Sequence, residues 1–182
     1  PTLGEVYKKL KNRPDQSEND WNFTLFADPA LTMNYPENAI IIDSINQSAI
    51  GSGKDTIKAL SKVKFDGHLE DLQGKALTDF NGTILPTVYD KPVIFNTLSN
   101  DLANQPIPFK LYSSILYKGE NSVSGGLFSF SFVVPKDINY NYGLGKISMY
   151  AKSALTDANG SFTDLTIGGA SENAVKDVKG PQ

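Results

Sequence analysis

The chain has 182 residues, 40% of them aliphatic or aromatic, enough to bury roughly 70% of its unfolded surface in one domain with a short appendage. Its net charge of −3, with Lys and Arg scattered, offers no basic stripe for nucleic acid, and no apolar run is long enough to span a bilayer. The absence of cysteine excludes cysteine-protease, thioredoxin-type and zinc-thiolate chemistry within these residues.

Leu3, Val6, Tyr7 and Leu10 recur at helical spacing, with Thr2 and Glu5 placed as a capping box and Arg13-Pro14 as a stop. Trp21 to Phe26 and Ala30 to Tyr35 read as two short strands separated by Asp28-Pro29. After Pro36 the period changes to two. Ala39 to Ile45 is a β-branched strand, and Lys62 to Asp71 alternates cleanly: Val63, Phe65, Gly67 and Leu69 face inward, Lys62, Lys64, Asp66, His68 and Glu70 outward. Gly82 to Tyr89 is a strand marked as edge or bulged by Pro86.

A long loop over 98–108 leads to a strand from Phe109 to Tyr117. Leu127 to Val134 follows, with Phe128, Phe130 and Phe132 alternating with serines. Gly145 to Lys152 and Ser161 to Ile167 complete the set, joined by Asn159-Gly160 as a hairpin turn. About seven strands with regular turn signals predict an all-β fold, an immunoglobulin-like antiparallel β-sandwich over 37–168. Residues 1–36 form a helix/strand appendage and 169–182 a connector. Tyr142, ahead of Tyr140, is the expected tyrosine corner. The chain opens on Pro1-Thr2 without a starting Met or signal peptide and closes on Lys179-Gly180-Pro181-Gln182, so it reads as a segment cut from something longer.

The candidate chemistry is thin. His68, the single histidine, lies between Asp66 and Glu70 on a wet strand face with no nucleophile motif to activate, so an exposed strand histidine outweighs a catalytic one. Asp157, Asn159 and Asp164 depart from a calcium-loop pattern in both the glycine and the final glutamate positions. Tyr140 and Tyr142 suit corner packing better than a sugar platform. Asp20 and Asp28 read as loop and turn residues rather than a glycosidase pair. Asn22, Asn46, Asn81 and Asn159 begin glycan triplets that matter only in a eukaryotic secreted protein. No catalytic, cofactor-binding or metal residue is assigned, and no cofactor is expected.

Phe23 to Leu31, with Ala27 where glycine is usual, resembles the Phe-x-Leu-x-Gly-Asp-Pro-x-Leu segment closing gingipain-type (C25) peptidase domains, and Leu3 to Leu10 resembles the last helix of that domain. Leu77 to Thr83, Pro86 to Lys91, Phe128 to Ile138, Gly145 to Ala151 and Thr156 to Gly160, in that order, resemble the region after the peptidase domain in the sortases of the type IX secretion system. The resemblance implies an exported protein at the outer membrane, cell surface or periplasm of a Gram-negative bacterium of the Bacteroidetes. The whole family protein removes C-terminal export signals from cargo and helps attach the cargo to surface lipopolysaccharide. No position matches the family's catalytic Cys and His, so the resemblance implies a non-catalytic piece with an upstream peptidase domain, downstream domains and secretion components or cargo as partners. Asp43-Ser44-Ile45 and Asp55-Thr56-Ile57 also resemble the Bacteroidetes O-glycosylation triplet. The alternative is an independent carbohydrate- or protein-binding module using the 98–108 loop or the two tyrosines.

Overall fold

The structure is a computed structural model and describes residues 1–52, 56–100 and 105–172. Two compact units divide the chain, Pro1–Tyr35 and Pro36–Gln182.

In the first unit, helix α1 (Leu3–Lys11) begins at the expected capping box. Glu5 donates its N–H to the Thr2 hydroxyl at 3.2 Å, and the Glu5 carboxylate accepts from the Thr2 N–H at 2.9 Å. The Asp28-to-Leu31 turn satisfies two more N–H groups of the first helical turn, with Leu3 donating to the Leu31 carbonyl and Gly4 to that of Pro29. Neither short strand expected here forms. Glu18–Asn22 is a 3₁₀ helix capped by Asp20 on Ser17, and residues 23–35 are irregular apart from one bridge between Thr2 and Thr32. Local side-chain caps compete with extended pairing at this point, and among the described residues only the Thr2–Thr32 bridge pairs this segment.

Among its described residues the second unit is all β. Its strands are β1 (Asn38–Ile45), β2 (Ser48–Ala49), β3 (Thr56–Ala59), β4 (Lys62–Asp71), β5 (Gly82–Tyr89), β6 (Val93–Asn96), β7 (Pro108–Leu111), β8 (Ile115–Lys118), β9 (Asn121–Ser124), β10 (Leu127–Val133), β11 (Gly143–Ser153) and β12 (Asp157–Ala170). Seven of them close a ring in the order β1-β4-β10-β9-β5-β11-β12 and back to β1. The closing contact is parallel, Asn38 opposite Ala158 and Ala39 opposite Asn159. Where an immunoglobulin-like sandwich would stack two separate sheets, hydrogen bonding here runs through one barrel-like ring. Closure leaves no open edge between its first and last strands.

The inward positions of β4 are those read from alternation, and Val63, Phe65 and Leu69 are fully buried. The interior is mainly aliphatic, with an aromatic stack running to its boundary: Phe65 lies 5.0 Å from Phe130, its direct cross-strand partner, and the partly buried Tyr117 lies 4.7 Å from Phe132. Pro86 is buried within the ring rather than on an edge. On one side of β5, residues 82–84 pair with β9 and residues 87–89 with β8, so Pro86 falls in the gap between the two partners, where the missing N–H costs no ladder bond on that side.

Two further expectations fail. The strand at 109–117 is broken into β7 and β8, and β7 joins β6 in a separate two-stranded ribbon. Asn159-Gly160 is not a turn. Residues 154–156 turn the chain, held by the Ser153 hydroxyl, which accepts from Leu155 and Thr156 N–H groups. Gly160 sits inside β12 because β1 passes so close that a Cβ there would collide with the Ile40 backbone.

Candidate functional site

The densest group of interacting ionisable side chains lies on the outer face of β1 and β4. Its geometry comes from a β-bulge. Ile42 pairs with Gly67 and Ser44 with Asp66, so Asp43 is an extra residue without a partner. The bulge shifts the phase of β1: Ile40 and Ile42 point inward before it and Ile45 after it, while Asp43 and Ser44 both remain outside.

That shift aims Asp43 at His68. The imidazole Nδ1 is 2.9 Å from one Asp43 carboxylate oxygen and 3.0 Å from the other, and Nε2 is 3.4 Å from Glu70. Two acceptors on two ring nitrogens suit the imidazolium, in which both nitrogens donate. The Asp43 hydrogen bond, the largest cause, raises the His68 pKa above its usual value, and Glu70 adds to it against a desolvation penalty. Beside this pair, Lys64 Nζ is 2.7 Å from Asp66. The Asp66 carboxyl is held below the usual range chiefly by that bond, with help from Ser129 and Ser44. Both ring nitrogens of His68 face carboxylates rather than a hydroxyl, and the neighbouring serine hydroxyls are engaged with Asp66. The arrangement is a charge network, with no nucleophile joined to a base.

A pH dependence follows. The folded pKa of His68 lies above its unfolded value, so its contribution to stability is fully present below about pH 6.5 and fades as pH rises through the folded value. The stability lost on His68→Gln should therefore be larger at about pH 5.5 than at about pH 8.5, read by urea unfolding of both proteins. An equal loss at both values would show that the imidazole is not held as the cation.

The other sequence candidates are dispersed. Asp157 accepts from the Tyr150 hydroxyl at 3.0 Å, and among the described residues no grouping of three His, Asp or Glu side chains could hold a metal ion. Asp20 caps Ser17 and Asp28 accepts from the Ala30 N–H, both within the first unit. The tyrosine corner belongs to Tyr140, not Tyr142. The Tyr140 hydroxyl donates to the Lys136 carbonyl at 2.5 Å, whereas the Tyr142 ring lies over Gly168 and Gly169. Asn46 and Asn81 spend their carboxamide oxygens on the Lys64 and Gly125 N–H groups. Ser44 lies on β1 and Thr56 on β3, while Asp55, residues 101–104 of the expected loop and residues 173–182 of the connector lie outside the described residues.

Two features had weak sequence signals. Asp90, directly after β5, is the one buried charged residue among those described. Its carboxylate accepts from Lys91 Nζ at 2.6 Å and from the Lys91 N–H at 2.7 Å, and Lys91 Nζ reaches the Ile167 carbonyl on β12 at 3.3 Å. An Asp-Lys-Pro run closing a strand was the available hint. The β6–β7 ribbon was hidden because its two arms are short and separated by a long connection.

No protein-family model matches the chain, and no curated protein matches it. Among solved structures, the chain is similar to the dimeric latent PorU of Porphyromonas gingivalis, with 28% identity and a TM-score of 0.66 over 97% of this chain and 17% of that one. It is a PorU-like region, as the ordered motifs had implied, and it spans about one sixth of that protein's length. A sporulation control protein, Spo0M of Bacillus subtilis, also matches, at 12% identity and a TM-score of 0.36 over 75% of this chain and 51% of that one. No described helix is long and apolar enough to cross a membrane.

Proposed function

We propose that this chain is a non-catalytic scaffold and interaction region of an exported, gingipain-like cysteine peptidase of the type IX sortase kind, its barrel standing where the resemblance puts an Ig-like domain after the peptidase. The observation that carries the reading is the match to PorU, which takes in nearly all of this chain but a small share of that protein. In this reading residues 1–36 are the tail of an upstream peptidase domain, 37–168 the β domain and 169–182 a connector. The partners are the neighbouring domains, with secretion components or cargo beyond them, at the cell surface or in the periplasm.

The first unit supports this division. Val6, Leu10, Phe23, Phe26, Leu31 and Met33 are exposed, and none of the described side chains of residues 1–35 is buried. A segment with that many apolar side chains and no core of its own is suited to completing the core of another domain. The alternative, a free-standing sugar-binding module, gains little, because the Tyr140 hydroxyl is already bonded to its own backbone.

The purified chain should not cleave Arg- or Lys-containing peptides above a blank, whereas the longer polypeptide encoded with it should. Cleavage by this chain alone, or a gene with no Cys- and His-bearing peptidase domain upstream of Pro1, would sink the reading.

A further inference from the structure

The β6–β7 ribbon stands outside the barrel sheet, and all eight of its residues are exposed. Val93 lies opposite Leu111 and Phe95 opposite Phe109, so these four side chains share one face. The two phenylalanine rings stack at 6.1 Å, and each of the four residues is 40–48% exposed. The other face carries Ile94 and Lys110. Leu98 and Ile107, just beyond the strand ends, are exposed as well.

An isolated two-stranded ribbon is marginal in water, since nothing buries its side chains. Pro92, Pro106 and Pro108 flank or enter the strands and remove N–H donors from the edges, which discourages a further strand from adding there. What remains for a partner is the apolar face. Taking the exposed 40–48% of roughly 150–200 Å² per residue, it offers on the order of 350 Å². With a complementary surface the interface would total about 700 Å², inside the usual range between domains of one chain. It falls short of the roughly 2,000 Å² of obligate dimers.

We infer that the face formed by Val93, Phe95, Phe109 and Leu111 docks on another domain of the same polypeptide, outside residues 1–182. The inference rests on the reading of this chain as one region of a longer peptidase.

Hydrogen–deuterium exchange tests it on this chain and on the longer polypeptide. Amides of 93–96 and 109–111 should exchange at least about tenfold more slowly in the longer protein, about 1.4 kcal/mol of added protection. Phe95→Asp with Phe109→Asp should abolish that difference while leaving the melting temperature of this chain unchanged. Equal exchange in both proteins would overturn the inference. So would protection of this chain alone that rises with its concentration, since a second copy would then be the partner. If the longer polypeptide lacks a peptidase domain yet protects the ribbon, the proposed function fails and the docking stands. If the peptidase is present and the ribbon is unprotected, the docking fails and the function stands.

Discussion

Replacing Phe65 by alanine should destabilise the chain by about 3–5 kcal/mol, the range for deleting a buried phenylalanine, and lower its melting temperature by on the order of 10 °C. Phe65 has no exposed surface and stacks on Phe130 and Phe132, so its loss opens a cavity bounded by rings on a neighbouring strand. Those rings belong to strands hydrogen-bonded in register, Phe130 directly opposite Phe65, which limits how far the site can collapse. Phe95→Ala is the matched control. Its ring is exposed on the ribbon, and its removal should shift the chain's stability by less than about 0.5 kcal/mol. Thermal unfolding of the two variants side by side checks both values. Similar losses would mean that the aromatic stack is not the centre of the core.

The second large effect is expected at Asp90. Asp90→Ala should cost about 3 kcal/mol, because it strands the Lys91 ammonium without its carboxylate in a largely covered setting. The pair joins the end of β5 to the Ile167 carbonyl of β12, and Asn139, in the loop before β11, donates its N–H to the same carboxylate at 3.4 Å. Three segments of the ring therefore meet at one charge. Adding Lys91→Met to Asp90→Ala should recover much of the loss, since removing both charges leaves no buried ion to compensate. Urea unfolding of the single and double variants measures the coupling. A double variant as unstable as the sum of its parts would show that the two side chains act independently. The contrast with His68 is one of burial: the histidine network sits on the wet face and changes stability with pH, whereas Asp90 is covered.

The sequence carried the candidate site only in fragments. His68, Asp66 and Glu70 were visible as outward residues of one strand, because alternation assigns faces without knowledge of any partner. Asp43 was not, since a β-branched run such as Ala39 to Ile45 shows no phase, and the bulge that turns Asp43 outward exists only against β4. Gly160 was misread for the same kind of reason. Asn-Gly is a strong local turn signal, yet here the glycine answers to a strand arriving from 120 residues away in sequence.

What the sequence by itself determined is local. The capping box set the start of α1, and period-two alternation set the bounds of β4 and β5 to the residue. It also set the inward residues of β4, β10 and β11, because a half-buried strand writes its burial directly into its order of residues. The ordered motifs by themselves carry the resemblance to the type IX sortases. Only the tertiary structure decided that the strands close into a ring through β1 and β12, that β6 and β7 leave it as a ribbon, and that Tyr140 rather than Tyr142 holds the corner. The first two turn on which distant backbone lies alongside, and hydrogen bonds between distant backbones leave no periodic trace in either segment, while the third turns on which hydroxyl the local chain path brings to the Lys136 carbonyl.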